Sequence, residues 1–183
     1  MWSKFGVSSR GGAHIRHELP CQDASLCREG TGYLIAAAAD GHGSRKHFRS
    51  QIGSELACIV ACDCLESFVQ GLATGNLPAE VEIELLKQNM LLQWRQAVEA
   101  DAAQRIWTIE ELLEQKELLD EEEYAALIDD RSRWIPYGTT LAALLVTEYF
   151  YLAVQIGDGE VLTISRDGVF SWPMPESEVN HGR

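Results

Sequence analysis

A short apolar run that ends abruptly in an acid constrains the fold of this chain most. The residues from Tyr33 to Ala39 read as a buried strand, and Asp40-Gly41-His42-Gly43 follows at once. A strand tip that presents a carboxylate and a backbone carbonyl offers hard oxygen ligands, which suit Mg²⁺ or Mn²⁺. The alternative is an ordinary strand-ending turn, because Asp-Gly is common in such turns.

A second carboxylate is expected near the first. Asp23 ends the segment Pro20-Cys21-Gln22-Asp23, just before a short strand and the turn Glu29-Gly30-Thr31-Gly32. If that strand pairs with the apolar strand as a hairpin, Asp23 and Asp40 come close together. A single Asp can bridge two metal ions, and such a pair supports phosphoryl hydrolysis. The other interpretation of Asp23 is a plain acid on a surface loop.

Two more side chains are candidates for the same site. His42 lies two residues beyond Asp40, and its near-neutral pKa suits it to protonate a leaving oxygen. Asp158, in Gly157-Asp158-Gly159, is either a further carboxylate at the same edge or a simple turn acid. Asp167, in the next Asp-Gly turn, is predicted to be structural.

Histidine and cysteine patterns favour neither zinc nor disulfides. The histidine spacings do not match a helical ligand pair, so a zinc hydrolase is only a third hypothesis. Three cysteines fall within an apolar helix and are predicted to pack in the core. The cysteine count is odd and the start of the chain lacks an apolar signal region, so we expect reduced thiols in a cytoplasmic protein. The residues concerned are His14, His17, His42, His47, Cys58, Cys62 and Cys64, besides Cys21 and Cys27.

The order of predicted elements indicates a single α+β domain over residues 1–183. Residues 2–9 form a first strand, residues 8–12 a turn or flexible loop, and residues 14–23 a loop that leads into a short strand. A helix of about four turns has an apolar stripe, which Ile59 is predicted to widen, formed by Ile52, Leu56, Val60, Cys64 and Phe68. A second helix begins near residue 79, and two short acidic helices form a surface hairpin over residues 108–130. An antiparallel meander over 139–172 and a loose tail over 173–183 follow. We expect sheet packed on sheet with helices outside.

The charge distribution excludes some partners. The net charge is −13, and residues 99–130 hold twelve acids against two basic residues. No basic stripe is present to neutralise a nucleic-acid backbone, and no apolar run is long enough to cross a bilayer. The acidic helical insertion at 99–130 is instead a candidate docking surface for a protein partner.

Four short motifs in order carry a resemblance to a known family. Pro20-Cys21-Gln22-Asp23-Ala24 comes first, then Ala39-Asp40-Gly41-His42-Gly43-Ser44, then Gly138-Thr139-Thr140-Leu141, then Ile156-Gly157-Asp158-Gly159. This order resembles the metal-dependent serine/threonine protein phosphatases of type 2C, especially their bacterial Pro-Cys-Gln-Asp branch.

The resemblance implies a fold, a reaction and a set of site residues. The fold would be an α/β/β/α sandwich of two antiparallel sheets flanked by helices. Two or three Mg²⁺ or Mn²⁺ ions would bind at one end, and a metal-bridging water would attack the phosphorus of a phosphorylated protein. Asp40 would bridge the ions, Asp23 and the Gly41 carbonyl would complete one side, and Asp158 would help hold a third ion. His42 would be the acid for the leaving group.

Two departures from the family pattern shape the alternatives. The usual phosphate-binding Arg position holds Glu18, so Arg16, or less favourably Arg10, is the candidate phosphate ligand. Two further metal aspartates of the family have no counterpart beyond Asp158 except Asp167, so we expect a chain that lacks the C-terminal quarter and turns over weakly or not at all. The alternative is a truncated or degenerate, non-catalytic interaction module that uses the acidic hairpin.

Overall fold

A four-stranded antiparallel sheet forms the centre of the fold. The computed structural model describes residues 6, 9–16, 20–73, 75–128 and 133–174. The sheet consists of β1 (Ala24–Gly30), β2 (Tyr33–Ala39), β3 (Leu141–Thr147) and β4 (Tyr151–Ile156), in that spatial order. The predicted apolar strand is confirmed as β2. The turn before it closes at Gly32, whose φ of 81° is a left-handed conformation that glycine adopts without strain.

The register of the strands brings distant parts of the chain to one edge of the sheet. Ala24 pairs with Ala39, so the residues just before β1 and just after β2 lie side by side. Ala38 pairs with Ala142, and Leu141 pairs with Ile156. The starts of β1 and β3 and the ends of β2 and β4 therefore share this edge.

Five helices and two short 3-10 helices complete the described fold. The helices are α1 (Gly12–Arg16), α2 (Ser50–Gly71), α3 (Glu80–Gln104), α4 (Ile109–Leu118) and α5 (Glu121–Ile128), and the 3-10 helices are Arg45–His47 and Ile135–Tyr137. The predicted acidic hairpin is confirmed as α4 and α5. Its first capping box is formed: the Glu111 N–H donates to the Thr108 hydroxyl over 3.1 Å, and the Glu111 carboxylate accepts from the Thr108 N–H over 2.7 Å.

The core lies between the sheet and α2. This helix packs against β1, β2 and β3, and α3 packs on α2. Cys58, Cys62 and Cys64 are buried there among Ile35 and Leu65, as predicted for packing residues. Burial raises the pKa of Cys58 to about 12 and that of Cys62 to about 11, so both are uncharged thiols at neutral pH.

A second, two-stranded antiparallel sheet follows the first. Residues 160–162 line the opposite face of the four-stranded sheet, and β5 (Thr163–Ile164) then pairs with β6 (Phe170–Ser171). The fold is therefore α+β with two antiparallel sheets and helices. The predicted continuous meander is wrong, because β4 and β5 do not pair. Gly157, at a φ of 90°, turns the chain away from the sheet after β4.

Five further expectations need correction or lie outside the described residues. The predicted loop after residue 10 contains the five-residue helix α1, and α2 runs for 22 residues rather than about four turns. Ile59 does not widen the buried stripe, because it is 44% exposed. The predicted strand over residues 2–9 and the tail over 173–183 lie mostly outside the described residues. No described helix is long and apolar enough to cross a membrane.

Candidate functional site

Two carboxylates meet at the edge where β1 begins and β2 ends. Loss of surrounding water raises the pKa of Asp40, and the Asp23 carboxylate, within hydrogen-bonding reach, raises this pKa further. The charge of Asp158 acts in the same direction, while His42 opposes it. The expected proximity of Asp23 and Asp40 is thus found, and Asp158 and His42 lie within electrostatic range of Asp40.

The loop that carries Asp23 is bonded to both β2 and α2. The Gln22 carbonyl accepts the Gly41 N–H over 3.2 Å and the Ser54 hydroxyl over 2.6 Å. A Cβ at position 41 would lie 2.5 Å from the Gln22 carbonyl oxygen and 2.9 Å from that of Ser50, so only glycine fits here. The close approach explains why the turn after Asp40 needs this residue.

The Gly-Thr-Thr segment before β3 forms hydrogen bonds with the backbone of Asp40. The Asp40 carbonyl accepts the Thr140 N–H over 2.8 Å and the Thr139 hydroxyl over 3.0 Å. The Asp40 N–H donates to the Thr140 hydroxyl oxygen over 3.1 Å. Three hydrogen bonds therefore fix the main chain at the acid, which restricts where its carboxylate can lie.

His42 is exposed but packed on one side by a second histidine. Its N–H donates to the Gly138 carbonyl over 3.0 Å, and its ring centroid lies 4.8 Å from that of His47. The half-buried His47 in turn bonds the Ile135 carbonyl through Nδ1 over 2.5 Å. Burial lowers the pKa of His47, which favours the neutral ring at pH 7.

The donor chemistry of this edge fits a hard divalent cation. A carboxylate that raises the pKa of its neighbour, as Asp23 does for Asp40, is also placed to share a cation with it. The Gly41 carbonyl accepts no hydrogen bond from the described residues and is available as a further oxygen donor. Within the described part of the chain, no three His, Cys, Asp or Glu side chains are grouped closely enough to hold an ion by themselves. A hard cation here would therefore also need carbonyl or water oxygens, as Mg²⁺ commonly does.

The remaining predicted residues have different placements. Arg16 is exposed at the end of α1, and no hydrogen bond or ion pair among the described residues joins it to the carboxylates. His17 and Glu18 lie outside the described residues. Asp167 accepts the Ser165 hydroxyl over 2.5 Å in the turn between β5 and β6, which lowers the pKa of Asp167 and fits a structural role.

The acidic hairpin is tied to the site by a buried arginine. Arg49 is 8% exposed and pairs with Glu111 of α4 at 3.2 Å. Its guanidinium also donates to the Arg105 carbonyl over 2.6 Å and to the Tyr137 hydroxyl over 3.2 Å, and it stacks 4.3 Å from the centre of the Trp107 ring. Arg49 thus connects α4 and the end of α3 to the 3-10 helix that precedes Gly138.

Several of these contributors were not predicted from the sequence. The sequence relates His47 only to the zinc hypothesis, does not distinguish Arg49 from other basic residues, and assigns no contact to Gly138-Thr139-Thr140. A signal for Arg49 was present in its position just before an apolar helix that faces an acidic segment. No short-range signal relates His47 to Gly138, which lies 91 residues further along.

One comparison with known proteins gives a family match. Residues 10–180 match the family model described as protein phosphatase 2C. Neither the curated proteins nor the solved structures gave a match to this chain. The matched region contains all four motifs and all the carboxylates described above. The chain belongs to the protein phosphatase 2C family.

Proposed function

We propose that this chain is a Mg²⁺- or Mn²⁺-dependent phosphatase for phosphoserine and phosphothreonine in proteins, of the bacterial Pro-Cys-Gln-Asp branch. One observation carries the proposal: the strand register brings Asp23, just before β1, beside Asp40, just after β2, at the sheet edge where β4 leads to Asp158 and the Gly41 carbonyl is unbonded among the described residues. Family membership supplies the reaction class. The non-catalytic alternative gains no support here, since it leaves this grouping of carboxylates unexplained.

The proposed ligands are Asp40 as the shared donor, with Asp23 and the Gly41 carbonyl on one side and Asp158 toward a third ion. When bound, the ions would supply a shared, activated water and neutralise the charge on the phosphoryl oxygens. Three hydrogen bonds hold the main chain of Asp40, so its carboxylate would need little rearrangement during the reaction. Donors beyond these residues would complete the coordination, so turnover by the described residues alone is expected to be weak.

His42 is the proposed general acid. It lies within electrostatic range of Asp40, and an imidazolium can donate a proton to the departing serine or threonine oxygen. Arg16 remains the proposed contact to the substrate phosphate. Its exposed position on α1 leaves its long side chain able to reach toward a bound anion.

The acidic hairpin is proposed to contact a protein partner. Glu111 and Glu123 are used internally, since they pair with Arg49 and, at 3.9 Å, with Lys46. Glu121 and Glu122 are exposed and would favour a basic partner segment. Reversing only these two charges should weaken partner binding without breaking the helix cap at Glu123. Unchanged partner binding would contradict this surface. A reducing, cytoplasmic setting fits five cysteines that form no disulfide.

The experiment is hydrolysis of p-nitrophenyl phosphate and of a phosphothreonine peptide with Mn²⁺ or EDTA. We expect hydrolysis only with the metal and its loss in Asp40→Asn. Asp167→Asn is the matched control, because it makes the same chemical change in a turn remote in sequence and used structurally. Equal hydrolysis with EDTA, or full activity in Asp40→Asn, would overturn the proposal.

A further inference from the structure

A half-buried histidine packs against the proposed general acid. The ring centroids of His42 and His47 are 4.8 Å apart and the ring planes are tilted by 45°. We propose that His47 is a positioning residue that holds the His42 ring in line with the leaving oxygen of the substrate. This inference rests on the proposed function, because the leaving oxygen belongs to that reaction.

The orientation of His47 is set by a backbone carbonyl. Its Nδ1 lies 2.5 Å from the Ile135 carbonyl oxygen, which can only accept, so Nδ1 carries the hydrogen. In the neutral ring the other nitrogen, Nε2, is then unprotonated. One ring nitrogen is thereby anchored to the 3-10 helix Ile135–Tyr137, and the ring cannot rotate without losing this hydrogen bond.

Gly138 closes the remaining space around the two rings. A Cβ at this position would lie 2.6 Å from Nδ1 of His47 and 2.7 Å from Cδ2 of His42. The Gly138 carbonyl also accepts the His42 N–H. Both imidazole rings therefore pack closely against the backbone of Gly138, and a shift of one ring would displace the other.

The turn that carries His47 is itself held from two directions. The Arg49 N–H donates to the Pro136 carbonyl over 2.9 Å, and the Gln115 side-chain amide donates to the Arg45 carbonyl over 3.2 Å. Gln115 is 1% exposed and belongs to α4 of the acidic hairpin. The support of His42 thus extends through His47 to two separate parts of the fold.

Such support matters because His42 is otherwise exposed. A free histidine samples several rotamers, and proton transfer needs the ring within hydrogen-bonding reach of the reacting oxygen. The need is greatest for an alcohol leaving group, which departs poorly as an anion. Nitrophenolate departs well without a proton. Loss of positioning should therefore affect the two substrates unequally, whereas general damage to the site should affect both alike.

The kinetic test compares His47→Ala and His47→Asn with the wild type on both substrates in Mn²⁺. We expect His47→Ala to lower kcat for the phosphothreonine peptide about 10-fold with KM nearly unchanged, and to change p-nitrophenyl phosphate hydrolysis less than about 2-fold. Asn can donate to the Ile135 carbonyl and should recover part of the loss. Lys46→Ala, on the same turn, should match the wild type. Equal losses on both substrates would overturn the proposal.

A second readout does not depend on turnover. Long-range ¹H–¹⁵N spectra of the metal-free protein should show His47 as the Nδ1–H tautomer. In His47→Ala the ring signals of His42 should shift and broaden, with Lys46→Ala unchanged. Unmoved His42 signals would overturn the positioning role whatever the activity. If the His42 signals shift in His47→Ala but the wild type shows no metal-dependent hydrolysis, the proposed function is overturned and the ring contact is established.

Discussion

Thr140 and Asp40 are bonded to each other in both directions. The Thr140 N–H donates to the Asp40 carbonyl, and the Thr140 hydroxyl accepts the Asp40 N–H. This pairing joins β3 to the end of β2 at the point where the chain leaves the sheet. It makes the position of the acid depend on a segment 100 residues away in the sequence.

Replacing Thr140 by valine tests the effect of its hydrogen bond without a change in side-chain volume. Thr140→Val keeps the shape but leaves the Asp40 N–H without its acceptor, so we expect a loss of about 1–2 kcal/mol in the free energy of unfolding. Metal-dependent hydrolysis should fall about 10-fold or more. Thr147→Val is the control, since that hydroxyl also accepts backbone N–H groups, at the other end of β3. Urea unfolding should show similar losses of stability in the two variants. The hydrolysis assay should show a loss of activity only in Thr140→Val.

The two glycines that flank His42 should differ sharply in tolerance. A Cβ on Gly41 would meet rigid backbone oxygens of Gln22 and Ser50, whereas one on Gly43 would lie 3.8 Å from the Gln22 side chain. We expect Gly41→Ala to cost about 3 kcal/mol or to prevent folding, and Gly43→Ala to change stability by less than about 0.5 kcal/mol. Thermal unfolding checks both. Equal tolerance would contradict the close approach at Gly41.

Local pairing explains which parts of the site could be predicted. Asp23 and Asp40 flank one hairpin, so the register Ala24 with Ala39 follows from an apolar strand and a nearby turn. The His42–His47 contact could not be predicted, because Ile135 and Gly138, which support it, are separated from these histidines by four helices in the sequence. The path after β4 was also missed, since an apolar alternation indicates a strand without identifying its partner.

The buried Arg49 is expected to stabilise the attachment of the acidic hairpin. Burial acts to raise the pKa of Glu111, but the Thr108 N–H and the Arg49 guanidinium outweigh it, so the carboxylate is held ionised. Arg49→Met would remove the cation that pairs with this carboxylate and the donor to the Arg105 carbonyl. We expect a loss of about 3 kcal/mol in urea unfolding. Arg95→Met, which alters an exposed contact with Trp134, should cost less than about 1 kcal/mol. Equal effects would contradict the role of Arg49.

Tyr137 should make stability depend on alkaline pH. Burial raises the pKa of Tyr137 to about 12, while the Asp101 carboxylate accepts its hydroxyl over 2.7 Å. The folded-state pKa lies above the unfolded value of about 10, so this contribution is present below pH 10 and lost as the pH rises through 12. The rise of the Tyr137 pKa from about 10 to about 12 corresponds to a contribution of roughly 3 kcal/mol to the free energy of unfolding.

The measurement is the free energy of unfolding of the wild type and Tyr137→Phe between pH 9 and 12. At pH 9 the variant should be less stable by about 1–3 kcal/mol, because Arg49 and Asp101 lose a partner. The gap should narrow as the pH rises. Cys58 and Cys62 also titrate in this range but do so in both proteins. A constant gap would contradict the raised pKa.

The central claim is that Asp40, with Asp23 within hydrogen-bonding reach and Asp158 within electrostatic range, is the carboxylate that binds a cation. Without metal, loss of surrounding water and the neighbouring Asp23 carboxylate raise the pKa of Asp40, so stability falls as the pH rises from the unfolded pKa through the raised folded pKa. Asp40→Asn should therefore stabilise the metal-free protein, by about 0.5 kcal/mol. Asp167→Asn should not, because its pKa is lowered by the Ser165 hydroxyl.

The most direct test is the change in Tm that Mn²⁺ causes in the wild type, Asp40→Asn and Asp167→Asn. A ligand that binds only the folded state raises Tm in proportion to its saturation. We predict a clear rise in the wild type and in Asp167→Asn, and none in Asp40→Asn, whose metal-free Tm is already higher. An equal rise in all three proteins, or none in the wild type, would contradict the account.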